Sequence, residues 1–320
     1  MIGWAVELAA GLAGIAAAAA GAVRAAERAA PPLGRFVEVD GRRLHVVDRA
    51  GRGAARPGAD RPTLLFLHGA SGNGRDLILA FGEAFGEHRA LFVDRPGLGW
   101  SERRAGEATP AAQAAAMVGL LDALGIERVV AIGHSWGAAA ALALALAAPE
   151  RVAGLVLLGP VSHPWPGGVD GVHHAALLPG LGPLFRRLVV PVVGRLVMAR
   201  STREVFAPDA VPEGYGRANG SALVLSPGRF RANAEDMVGL KAALAATVPA
   251  YATISAPTLI VQGDGDTVVK PSIHAEALAR TIAGARLVGL AGVGHMPQHG
   301  ARERVTAEIA AHLAAIGRDG

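Results

Sequence analysis

Residues 131–150 read AIGHSWGAAAALALALAAPE. An apolar, strand-like run leads into Gly133-x-Ser135-x-Gly137, and a long alanine and leucine segment follows. Strand, G-x-S-x-G and helix in that order are what a nucleophile elbow requires: a sharp turn that holds a serine in a strained conformation with its hydroxyl above a sheet. Gly133 and Gly137 leave room where side chains would collide, and Ala138 to Ala141 let the helix pack closely. A helix starting near Trp136 aims its N-terminal amides and partial positive charge at the place where negative charge would develop on a substrate oxygen. Alone, the pentapeptide is ambiguous, because serine is also a common helix N-cap.

The surrounding chain supplies the context. RFVEVD and RLHVVD alternate around Asp40-Gly41, a hairpin signal. The runs TLLFLHG (63–69), ALFVDRPG (90–97), RVVAIGHS (128–135), GLVLLGP (154–160), PTLIVQGDGD (257–266) and ARLVGLAGVGH (285–295) are continuously apolar before their loops. Strands buried on both faces look like this, and helical segments lie between most of them, so the expectation is a mostly parallel α/β sheet. Thr109-Pro110 caps and opens a helix that Gly125 ends, Pro271 opens another, and a last helix is expected over about 300–316.

Between Pro160 and Pro249 the pattern fails: ten of the chain's twenty prolines fall there, counting both ends. This stretch reads as a cap of short helices inserted between two core strands, with a return segment RFRANAEDMVGLKAALAAT. The expected organisation is an apolar N-terminal segment (1–30), a first part of the core (31–160), the cap (161–249) and a second part of the core (250–320). The glycine- and arginine-rich stretch 49–62 is expected to be a solvated connection.

Composition narrows the chemistry. At 320 residues and 51% hydrophobic, the chain can bury a substantial core. Its formal charge is +4, and its scattered arginines are not interleaved with aromatics, so a nucleic-acid partner is not expected. Without cysteine, thiolate nucleophiles and thiolate metal sites are excluded, and no paired-histidine metal spacing is present. Residues 2–23, with Glu7 as their one charge, are about long enough to cross a bilayer but consist mainly of alanine and glycine. They read as a membrane anchor, with a helix docked on the protein or a partner, and a cleaved export signal, as the alternatives. If the segment spans, the arginines that follow it place the catalytic part on the cytoplasmic side.

Two further loops carry chemistry. His68-Gly69-Ala70-Ser71-Gly72-Asn73-Gly74 ends a predicted strand where a second oxyanion donor is drawn, making the backbone N–H groups of Ala70 and Trp136 the candidates. No Walker lysine follows it, which speaks against phosphate binding. After PTLIVQ, Asp264 and Asp266 offer two carboxylates, and after ARLVGL the loop ends at His295. Serine, acid and histidine thus stand in that chain order at the C-terminal ends of separate strands, where an open parallel sheet places its ligands.

Together LFLHGASGN, VDRPGLGWSER, AIGHSWGAAAAL, PTLIVQGDGDTVV and GVGHMPQ resemble the α/β-hydrolase superfamily, its esterase, lipase and haloperoxidase-like branch with a helical cap, from about Phe36 to Ile316. The resemblance implies a catalytic triad of Ser135, Asp266 (with Asp264 as runner-up) and His295, not His299, and no cofactor or metal. Haloalkane dehalogenases and epoxide hydrolases look similar but carry aspartate where this chain has Ser135. What the resemblance implies is hydrolysis of a small or medium apolar ester through an acyl-enzyme, with a carbon–carbon bond hydrolase as the enzymatic alternative and a binding module as the non-enzymatic one. The stretch ALLPGLGPLFRRLVVPVVGRLVM would then offer an apolar pocket or simple lobe packing.

Overall fold

The computed structural model describes residues 2–51 and 61–319; within it the side chains of residues 2–6, 8, 9, 12 and 319 are left aside. The middle of the connection expected over 49–62 therefore lies outside the described residues.

Helix α1 (Ile2–Ala29) precedes the sheet. Strands β1 (Arg35–Val39) and β2 (Arg42–Arg49) form the expected hairpin, with Val39 opposite Arg42. Asp40 and Gly41 both take positive φ, 47° and 75°, the geometry whose twist matches that of the flanking strands. Then follow β3 (Thr63–Leu67), α2 (Arg75–Phe81), β4 (Ala90–Val93), α3 (Pro110–Ala123), β5 (Val129–His134), α4 (Trp136–Ala147) and β6 (Val152–Leu158). The cap contributes α5 (Gly171–Leu177), α6 (Leu181–Leu188), α7 (Val190–Phe206), α8 (Tyr215–Ala218) and α9 (Pro227–Thr247). The chain closes with β7 (Thr258–Gly263), α10 (Ala275–Thr281), β8 (Arg286–Leu290), α11 (Pro297–Gly300) and α12 (Arg302–Asp319).

The eight strands form one sheet in the order β1-β2-β4-β3-β5-β6-β7-β8. β2 pairs antiparallel with β1 and β4, and every pairing from β4 to β8 is parallel. Successive residues of a central strand face opposite layers: Leu65 and Leu67 join α3 and α4, while Leu64 and Phe66 meet α2. Every residue of β5, β6 and β7 is buried, as their unbroken apolar runs require.

Local signals operate as read at α3, where Thr109 Oγ1 accepts the Ala112 N–H at 3.2 Å and Gly125 leaves the helix at φ 61°. They fail at α10. The helix expected from Pro271 begins at Ala275, because His274 is drawn inward, where its Nδ1 accepts the N–H groups of Ser162 (3.1 Å) and His163 (3.2 Å).

Among the described residues no single helix is long and apolar enough to cross a membrane. The anchor expected over residues 2–23 falls in part on side chains outside the described set. The far end of α1 is docked on the protein: Ala19, Ala26 and Ala30 are buried, Glu27 pairs with Arg229 of α9 at 2.8 Å, and Trp100 Nε1 donates to the Ala30 carbonyl at 2.9 Å. The expected apolar pocket residues of the cap also divide: Val190 is buried, whereas Leu181, Leu184, Val193 and Leu196 face outward.

Candidate active site

The elbow lies between β5 and α4. Ser135 has φ 53° and ψ −116°, a conformation that costs a non-glycine residue about 1–3 kcal/mol and persists because its surroundings over-determine it. Its N–H donates to the Leu158 carbonyl at 2.9 Å on neighbouring β6. A Cβ on Gly133 would collide with the Gly137 carbonyl, and one on Gly137 with the Leu67 carbonyl, so both positions need glycine for close backbone approach.

The loops after β7 and β8 bring their side chains to this turn. His295 Nε2 lies 3.0 Å from Ser135 Oγ, and its Nδ1 lies 2.8 Å from Asp266 Oδ2. Asp266 also accepts the backbone N–H groups of Val268 (2.9 Å) and Val269 (2.8 Å) and the Gln262 amide (2.9 Å). Burial pushes this carboxyl up, but His295, Val269 and Gln262 together outweigh it and hold Asp266 below the usual carboxylate range. Asp264, the runner-up, is exposed and accepts the Gly292 N–H at 2.7 Å, bracing the turn instead of meeting His295. His299 lies in α11, not in the last helix, and its Nε2 sits 2.7 Å from buried Asp76.

The loop carrying Ala70 lies against the elbow: a Cβ on Gly69 would come within 3.3 Å of the Ser135 Cβ. Trp136, the other proposed donor, opens α4 directly after Ser135. Ser135, Asp266, His295, Ala70 and Trp136 are thereby gathered at one end of the sheet. Such an arrangement can pass a proton from a serine hydroxyl to an imidazole held by a carboxylate, beside two backbone donors. Among the described residues no group of three or more His, Asp and Glu side chains is placed to hold a metal ion.

Sequence reasoning missed the groups that hold the site. His134 Nε2 donates to the His295 carbonyl at 2.9 Å; burial first, and neighbouring His295 second, push its pKa down to about 4, which keeps it a neutral donor. Arg95 is 1% exposed and aims its Nε at the His68 carbonyl (2.9 Å) and its Nη2 at the Gly69 carbonyl (3.2 Å), fixing the loop after β3. The guanidinium lies 4.0 Å from the centre of the Trp136 ring and pairs at 2.8 Å with Asp236 of α9. One turn earlier on α9, Asn233 Oδ1 accepts the Ser71 N–H at 2.6 Å. The one available signal was a charged Asp94-Arg95 pair at the end of a wholly apolar strand; nothing in the pattern of α9 marks Asn233.

Sheet order, elbow and cap together define an α/β hydrolase. The chain belongs to the α/β-hydrolase fold family, whose model it matches over residues 62–301, and it is a hydrolase of that superfamily. A 2-hydroxymuconate semialdehyde hydrolase from a Pseudomonas species is 30% identical over 85% of this chain and 91% of its own length. Haloalkane dehalogenase 2 of Mycobacterium bovis is 27% identical over 83% of this chain and 90% of its own. The solved esterase of Exiguobacterium antarcticum superposes with a TM-score of 0.69 at 20% identity, covering 88% of this chain and 100% of that one, a likeness of fold.

Proposed function

We propose that this chain is a serine hydrolase that cleaves a small or medium apolar carboxylic ester by way of an acyl-enzyme. Ser135 Oγ attacks the ester carbonyl while His295 Nε2 takes its proton; Asp266 orients the ring and stabilises the imidazolium. The backbone N–H groups of Ala70 and Trp136 receive the oxyanion, each contributing roughly 100- to 1,000-fold in rate. Collapse of the intermediate returns the proton to the departing alcohol, and water then repeats the sequence to release the acid. In the same reading residues 161–249 form the cap over the core of 31–160 and 250–320.

The observation that supports this most is the continuous line Ser135 Oγ, His295, Asp266, with contacts of 3.0 and 2.8 Å and all three residues buried. A serine at position 135 also separates the chain from the dehalogenases, whose nucleophile is aspartate. The test is hydrolysis of nitrophenyl esters from acetate to palmitate by wild type and Ser135→Ala. Activity should peak at one chain length and fall by about 10⁶-fold in the variant.

The second reading, a carbon–carbon bond hydrolase using the same triad, draws support from the similarity to the semialdehyde hydrolase. A wild type inert toward every ester yet labelled at Ser135 by an organophosphonate would favour it.

A further inference from the structure

The cap turns an apolar surface outward. Of the fifteen large apolar side chains that are exposed among the described residues, nine lie between Val172 and Val197. From Val189 along α7 they recur as Val189, Val192, Val193, Leu196 and Val197, the spacing of a single helical stripe, and Leu196 is 79% exposed. Leu181 and Leu184 of α6 are also exposed, at 66% and 56%. The opposite side of the two helices is buried against the protein through Gly182, Val190 and Phe206. Phe185, Val190, Met198 and Phe206 pack inward, so both sides of these helices are apolar, and the outward one lacks the polar side chains a solvated helix would carry.

The charges within these two helices are mostly positive. Residues 181–206 carry Arg186, Arg187, Arg195, Arg200 and Arg203 against Glu204 alone, and Glu204 is paired with Arg200 at 2.8 Å. Helix α1 packs alongside α6 and α7, and its Ile15 is 48% exposed. The helices do not suit a span: the stretch from Leu181 to Phe206 bends by 111° from α5, and one side of it belongs to the cap interior. A second copy of the chain fits poorly, because a twofold interface on this face would set one arginine row against the other.

We propose that the outer face of α6 and α7 docks on an anionic lipid surface, with the leucine and valine stripe at the level of the acyl boundary and the arginines at the phosphates. The attachment is peripheral and lies in the plane of the membrane. It is independent of what Ser135 hydrolyses.

Flotation of the full-length chain with phosphatidylcholine vesicles, with and without phosphatidylserine, tests this. Wild type should float with the anionic vesicles and remain behind with the neutral ones. Leu184→Glu with Leu196→Glu should abolish flotation, and Arg195→Gln, Arg200→Gln and Arg203→Gln together should weaken partition on the order of 100-fold. All five side chains are exposed, so thermal melts followed by circular dichroism should match wild type for both variants. The proposal is overturned by wild type that does not float, by equal flotation with neutral vesicles, or by flotation that both variants retain. A wild-type dimer that the glutamate variant turns into a monomer, without vesicle uptake, would assign the face to a second copy instead.

Discussion

At the scale of single residues, the two carboxylates after β7 differ in what they touch. Asp266 meets the imidazole and three further donors, while Asp264 meets one backbone N–H at the surface. Asp266→Asn keeps the shape but can donate to His295 and favour the wrong tautomer, so kcat for the ester should fall on the order of 10⁴-fold. Asp264→Asn should stay within a few-fold of wild type. Equal losses in the two, measured by steady-state kinetics, would contradict the assignment. Ser135, Asp266 and His295 were legible because elbow and loop motifs have fixed spacings along the chain. His134, Arg95 and Asn233 were not, because each acts through a partner distant in sequence: His295, Asp236 and Ser71.

At the scale of elements, α9 reaches Ser71, Arg95 and Trp136 beside the elbow. Its Asn233 holds Ser71, whose own φ is 57°, immediately after the proposed donor Ala70. Asn233→Ala removes that acceptor and frees the loop to shift. A displacement of about 1 Å costs on the order of 100-fold, so kcat should fall by about ten- to a hundredfold with KM little changed. Asn233→Asp, which restores an acceptor oxygen, should recover much of the loss. A KM effect without a kcat effect would make Asn233 a substrate contact instead. The β1–β2 hairpin and α3 were legible because turn and cap chemistry are local. The start of α10 was not, since a tertiary demand on His274 overrides the proline signal, and composition alone could not tell which way the apolar face of α6 and α7 points.

At the scale of the whole molecule, stability is tied to buried neutral imidazoles. Burial pushes His68 down to about 3 and His134 and His274 to about 4 from 6.5; the charge of Arg95 adds to it at His68. Each binds its proton less readily in the folded than in the unfolded chain, so its contribution is complete above about pH 6.5 and is lost as pH falls toward 4. Asp76, Asp94 and Asp266, held below the ordinary 3.8 despite burial, give up theirs only below that value. The urea midpoint should therefore be level from pH 8 to 7 and fall steeply from 6.5 to 4. The loss should reach several kcal/mol in all, since each tenfold difference in proton affinity between folded and unfolded chain is worth about 1.4 kcal/mol. A flat profile across that window would show that these histidines are not held neutral. The parallel sheet and the place of the inserted helices were legible from strand runs and proline density. Burial of each imidazole was not, because it depends on three-dimensional neighbours.

The ion pair between Arg95 and Asp236, 1% and 0% exposed, also limits how far α9 can move. Swinging α9 away as a rigid lid would carry Asp236 off and leave the buried guanidinium without its carboxylate, a loss of about 3–5 kcal/mol. The hinge that a helical insertion invites is thus locked where α9 meets the loop after β3.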